Sequence, residues 1–182
     1  MSGVLTIRQA IEADLAALRA LMTLAIDQGQ AAFLTPAQVA ASRAVMGLDT
    51  QLVRDGTYFV VEQGTVPVGC GGWSRRATLY GGDHSTALRD PALLDPAKDA
   101  ARIRAMYTHP DHVRRGIGRM ILNHCEAAAR AEGFTAVELM GTAGGAPLYA
   151  ACGYHPIARA DAAVDGVVVP LTRMRKTLGE PA

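Results

Sequence analysis

The feature that most limits what this chain can fold into is the run AARIRAMYTHPDHVRRGIGRMILNHCEAAARAE, from Ala101 to Glu132. An apolar strand-like stretch ends near Thr108, a basic turn with two glycines comes next, and an amphipathic helix carrying Ile117, Met120, Ile121 and Ala128 starts at once. At such a turn Arg114, Arg115, Gly116, Ile117 and Gly118 leave backbone N–H groups unpaired at a helix N-terminus, where the helix dipole favours negative charge. The glycines keep side chains off the backbone, and the arginines add charge-assisted donors suited to phosphate oxygens. The segment therefore reads as a nucleotide-cofactor loop that takes a phosphate or pyrophosphate.

Two familiar phosphate loops are excluded by the residues after Gly118. A Walker loop needs Lys and then Ser or Thr after its last glycine, and Arg119 and Met120 stand there. A dinucleotide fingerprint needs Gly or Ala three residues on, where Ile121 sits, and an acidic residue ending a second strand; Glu138 lies at about that distance but inside its strand.

The segment instead resembles the acyl-CoA-binding core of the GNAT N-acetyltransferase superfamily. That family's pattern is Gln or Arg, two residues, Gly, one residue, then Gly or Ala; Val113 to Gly118 fits at every position but the first, where Val113 stands. A second block, AVELMGTAGGAPLYAACGYHPI from Ala136 to Ile157, resembles the family's fifth strand, the short helix after it and the aromatic residue opening the sixth strand. The resemblance implies an α/β (α+β) fold with a central mixed, mostly antiparallel sheet flanked by helices. It further implies acetyl-CoA as cosubstrate, with Arg114, Arg115, Gly116, Ile117, Gly118 and Arg119 around the pyrophosphate and the backbone of Met106, Tyr107 and Thr108 along the pantetheine arm. Tyr149 matches the tyrosine that protonates the departing thiolate, a transfer that a phenol near ~10 and a thiol near ~8.5 can make. The implied activity is direct N-acetylation of a primary amine, with a non-catalytic acyl-CoA sensor as the alternative. The family's frequent Asn near the start of the short helix is replaced by Ala143 and Gly144.

A lysine-like amine is neutral in only a few molecules per ten thousand at pH 7, a deficit of about 4.6 kcal/mol that a base or a desolvating pocket must offset. Family members often place a Glu on the fourth strand, but Ala101 to Thr108 holds no carboxylate. Asp83, His84, Glu62 and Glu138 are the substitutes the sequence offers. Gln28, Gln30 and Phe33, between the first two helices, are candidates to face the acceptor, and Trp73 is either core or pocket wall. His109 and His112 flank Pro110 and Asp111 in a loop-shaping arrangement with no metal role. Cys70 has no partner for nucleophilic catalysis, and no metal-ligand spacing occurs.

At 182 residues one catalytic domain spanning 1–182 is expected, and a net charge of +1 gives no reason to expect nucleic acid or an anionic membrane as partner. No signal core or membrane span is readable, and three scattered cysteines fit a reducing compartment, which places the expectation in the cytoplasm. Partners are then acetyl-CoA and an amine; a homodimer is compatible with the resemblance. The expected elements are a strand at Val4 to Gln9, helices from Ala13 to Asp27 and after Thr35, and strands at Thr57 to Gln63 and Val68 to Arg76. Consecutive Gly71 and Gly72 suggest a bulge or a close backbone approach. A long loop runs from Ala77 to Lys98. Tyr154 to Val164 and Val167 to Arg175 are read as two closing strands joined at Asp165 and Gly166.

Overall fold

The computed structural model describes residues 3–179. Its elements in chain order are β1 (Leu5–Gln9), α1 (Leu15–Gly29), α2 (Pro36–Ser42), α3 (Thr50–Arg54), β2 (Tyr58–Gln63), β3 (Val66–Ser74), β4 (Ala101–Thr108), α4 (Ile117–Ala131), β5 (Ala136–Thr142), α5 (Ala146–Ala151), β6 (His155–Arg159), β7 (Ala162–Val164), β8 (Val167–Val169) and β9 (Leu171–Thr177). Seven strands form one sheet in the order β1-β2-β3-β4-β5-β9-β6, and β7 and β8 form a separate hairpin. Every neighbouring pair in the large sheet is antiparallel except β4 with β5. The mixed, mostly antiparallel sheet flanked by helices is the architecture the sequence implied.

Strand alternation divides the core. On β2, Phe59 and Val61 join the layer under α4, while Tyr58 and Val60 join the layer under α1. Helix α4 buries Ile117, Ile121, Leu122, Cys125 and Ala129, each large aliphatic side chain contributing about 1.5–3 kcal/mol of burial. Helix α1 buries Leu18, Leu21, Met22, Ala25 and Ile26 against the opposite face. Helix α2 starts where the sequence places it: Thr35 accepts from the Gln38 N–H and Gln38 reaches back to Thr35, a full capping box.

The glycines of β3 explain how closely α4 docks. A Cβ at Gly69 would lie 2.3 Å from Ile117 Cγ2, and one at Gly71 2.8 Å from Ile121 Cγ2, so two bare positions on one strand face admit two successive turns of the helix. Gly72 faces the other way, and its Cβ would stand 2.4 Å from the Thr57 carbonyl oxygen. The close approach expected at Gly71–Gly72 is therefore present, but the extra residue of the bulge belongs to the partner strand. Cys70 pairs with Tyr107 and Gly72 with Arg104, which puts three steps on β4 against two on β3, and Ala105 takes φ 49°. Because Thr57 O is backbone and cannot step aside, Gly72→Ala is expected to cost about 1–3 kcal/mol, read as a lower denaturation midpoint at unchanged slope.

Two expectations are corrected. A short helix, α3, stands where none was read, started by Asp49, whose carboxylate accepts from the Gln51 N–H at 3.0 Å. The two closing strands are four: Asp165 and Gly166 do turn with φ 48° and 79°, but the chain breaks at Ala160–Asp161 and at Pro170, which has no N–H to give. The last strand, β9, inserts between β5 and β6 and leaves β6 at the edge with all five residues exposed. Trp73, only 2% exposed, is a core residue, edge-on to Phe134 and under the Arg75 guanidinium.

Candidate active site

The site begins where β4 and β5 part. They pair in parallel only at Ala101–Val137 and Arg102–Glu138, so beyond Arg102 the β5-facing edge of β4 has no ladder partner. The bulge at Ala105 turns that edge further, and the Tyr58 hydroxyl fixes it by donating to Ala105 O at 2.6 Å. A cavity of about 720 Å³ fills the cleft. Met106, Tyr107 and Thr108 line it, as do Arg114, Gly116, Ile117, Gly118 and Arg119 from the turn and Tyr149 from α5. Those candidates from two distant sequence blocks thus share one cavity.

The turn has the backbone of an anion cradle. Arg114 (φ 60°) and Gly116 (φ 81°) are both left-handed, and Gly116 caps α4, whose first intrahelical bond runs from Met120 N to Gly116 O. The Ile117, Gly118 and Arg119 N–H groups precede that bond and point out of the helix end. The glycines have different tasks. A Cβ at Gly116 would meet no protein atom within 4 Å, whereas one at Gly118 would lie 2.5 Å from Leu148 Cδ2, so Gly118 lets α5 close over α4. Arg115 stands apart from the other candidates. Its guanidinium donates to Gln63 Oε1 at 3.3 Å, leaving its main chain to serve the turn. Gly116→Val is expected to weaken CoA binding more than tenfold while αL strain costs about 1–2 kcal/mol of stability. Titration calorimetry with CoA checks the first and thermal melting the second.

Tyr149 is 8% exposed and packs edge-on against Tyr154 with ring centroids 6.0 Å apart. Burial, with Cys152 adding to it, pushes its hydroxyl up to about 12. The phenol therefore keeps its proton throughout the physiological range and is available as a donor.

The carboxylates offered as substitutes for the strand base are all committed elsewhere. Glu62 holds Arg8 with two bonds of 2.7 and 3.1 Å. Burial works against the charge of Glu138, but Arg173, Arg175 and Arg102 outweigh it and hold its carboxyl below the usual range. Asp83 accepts from both N–H and hydroxyl of Thr50, and His84 Nε2 lies 2.6 Å from Arg43 O beside a separate, smaller hollow. None of the four lines the main cavity. His112 does, with Nε2 3.2 Å from Gln63 Oε1, but beside the turn at Arg114 to Arg119. No group of three metal-ligating side chains occurs among the described residues.

Sequence reasoning missed the buried pair that shapes the far end. Arg104, on β4, donates to Asp49 Oδ2 at 3.0 Å, to Gly81 O at 2.8 Å and to Thr78 O at 3.2 Å, so a β4 side chain ties α3 to the long loop. That fixes Tyr80 in the cavity wall. Gln30 and Phe33 also line this end, and Gln28 is exposed and does not.

Cys70 is buried and raised from 9.0 to about 12, which removes it as a nucleophile. Cys125, Tyr58, Tyr107 and Tyr154 are raised as well, chiefly by burial. The unfolded chain sheds these protons near 9.0 for thiols and 10.0 for phenols while the folded chain retains them. These groups therefore add no pH dependence to folding stability below pH 9, and stability should fall as pH rises from 9 towards 12, by about 1.36 kcal/mol per pH unit for each retained proton. Denaturant midpoints measured across that window check the direction.

The acetyltransferase (GNAT) family model matches residues 18–154. No curated protein sequence matches the chain. Among solved structures, a GCN5-related N-acetyltransferase from Rhodopseudomonas palustris is similar over 97% of this chain and 98% of its own, at 21% identity and TM-score 0.70. YncA from Salmonella typhimurium, solved with its cofactor acetyl-CoA, is similar over 98% of both chains at 22% identity and TM-score 0.64. The PaiA N-acetyltransferase of Thermoplasma acidophilum, in complex with coenzyme A, is similar over 96% of this chain and 99% of its own, at 12% identity and TM-score 0.64. At these identities the structures establish the shared fold. No helix among the described residues is long and apolar enough to cross a membrane.

Proposed function

Because the chain belongs to the GNAT acetyltransferase family and is an acyltransferase with acetyl-CoA as cosubstrate, we propose that it moves the acetyl group directly to a primary amine within a ternary complex. The observation that carries this reading is the single cavity joining the anion turn, the unpaired edge of β4 and Tyr149. The turn at Arg114 to Arg119 holds the pyrophosphate through its N–H groups and the Arg114 and Arg119 guanidiniums. The free edge of Met106 to Thr108 holds the pantetheine arm, and one of its amides polarises the thioester carbonyl. The thioester supplies the activated acetyl group, and the amine nitrogen attacks it. As the carbon–sulfur bond breaks, Tyr149 gives its proton to the sulfur, and the proton shed by nitrogen restores the phenol through water. The whole chain acts as one catalytic domain, and three buried free cysteines fit a reducing, cytoplasmic setting.

Thiol release from acetyl-CoA, measured with and without amines, tests this. Amine-dependent release supports transfer. Tight CoA binding with no release for any amine favours an acyl-CoA sensor, which a cavity wall without a carboxylate also fits.

A further inference from the structure

The acceptor end of the cavity is lined by apolar side chains: Phe33, Val45, Met46, Leu79, Met140 and Leu171. The charged and titratable groups that face it come from three elements. The long loop gives Tyr80, β4 gives Arg104 and Tyr107, and α5 gives Tyr149; α1, β5 and β9 contribute none. Tyr107 is held protonated by burial, with the Gly47 N–H donating to its oxygen at 2.8 Å. Asp49 sits behind Arg104, 1% exposed, and is not part of the wall. Among the described residues Arg104 is the one charged residue at this end, and its guanidinium is already paired with Asp49 at 3.0 Å with the side chain 2% exposed, so it offers the cavity no free charge; no carboxylate or histidine of theirs lines this end. An alkylammonium entering here would lose its water and find neither a free counter-ion nor a group to take its proton, a combination that costs several kcal/mol.

The polar exceptions are joined to each other. Gln30 Nε2 donates to Thr142 Oγ1 at 3.4 Å, and Gln30 Oε1 is left buried without a partner. An orphaned buried acceptor is a standing cost that an incoming N–H can relieve.

We propose that the acceptor is an apolar amine of low basicity, an arylamine rather than an alkylamine or polyamine, taken up as its neutral free base with one N–H directed to Gln30 Oε1. This rests on the acetyl-transfer reading for turnover but not for binding. A neutral nitrogen needs no enzyme base before attack: its lone pair forms the nitrogen–carbon bond, the carbon–sulfur bond breaks, Tyr149 protonates sulfur and the surplus nitrogen proton returns to Tyr149 through water. Lack of a strand carboxylate then matches the substrate instead of marking a defect.

The test compares propylaniline, phenethylamine and cadaverine with the full chain, reading both acetylation rate and thermal stabilisation of the CoA-bound protein. Propylaniline should stabilise that complex and be acetylated at pH 7 with kcat/KM at least tenfold above phenethylamine, and cadaverine should do neither. The phenethylamine rate should climb about tenfold per pH unit from 7 to 9, tracking its free-base fraction, while the propylaniline rate stays level. Gln30→Glu, which puts a carboxylate at this end, should move the preference at least tenfold towards phenethylamine. Cadaverine matching propylaniline, a phenethylamine rate that is level between pH 7 and 9, no shift in Gln30→Glu, or no stabilisation by any amine would each overturn the assignment. Selective stabilisation by propylaniline without acetylation would keep the pocket assignment and remove the transfer reading.

Discussion

Tyr149→Phe is expected to lower turnover about 10²–10⁴-fold, the range a positioned general acid supplies, while KM for acetyl-CoA stays within a few-fold. The phenylalanine keeps the ring that packs on Tyr154, so the fold should be unaffected. The pH profile gives a second readout. With its hydroxyl raised to about 12, Tyr149 should impose no alkaline fall in turnover below pH 10, so any such fall must survive in the variant or arise from another group. Unchanged turnover in Tyr149→Phe would take this residue out of the acid role and leave the sulfur to be protonated by solvent.

The second large effect concerns the buried pair behind the far wall of the cavity. Asp49→Ala is expected to destabilise the protein by about 3–5 kcal/mol, because it strands the Arg104 guanidinium, whose side chain is 2% exposed. It also removes the α3 cap at Gln51 and a 3.2 Å bond from Arg89. Replacing both partners by apolar residues, Asp49→Leu with Arg104→Met, should be milder than Asp49→Ala alone, since no unpaired charge is left. Denaturant midpoints at unchanged slope decide it. A single-variant cost below about 1 kcal/mol would show that water reaches Arg104 and that its pairing does not hold the long loop.

The parts of this protein that could be read in its sequence are those set by neighbours along the chain. The strand, turn and helix from Ala101 to Ala131 are legible because apolar period, glycine placement and basic residues agree over one short stretch. Thr35 and Pro36 announce α2 for the same reason. Helix α3 was not legible, since five residues are too few to show a period, although Asp49 before Thr50 carried a cap signal. What pairs across long separations was hidden. Arg104 and Asp49 are 55 residues apart, and nothing local predicts that β9 enters the sheet between β5 and β6. The candidate base residues failed on the same account. Glu62 and Glu138 are drawn away by arginines on other strands, so their positions in sequence said nothing of their availability. Among the cofactor candidates the turn itself was readable, but the direction of Arg115 was not, because Gln63 on β2 claims it. Pro170 is the one break that its own residue type could have given away.

The most direct test of the proposed cofactor site is amide hydrogen exchange with and without acetyl-CoA. Protection concentrated at Met106–Thr108 and at Gly116–Arg119, with ATP and NAD giving none, is the predicted result. Protection confined to other segments, or equal protection by ATP or NAD, would contradict the site.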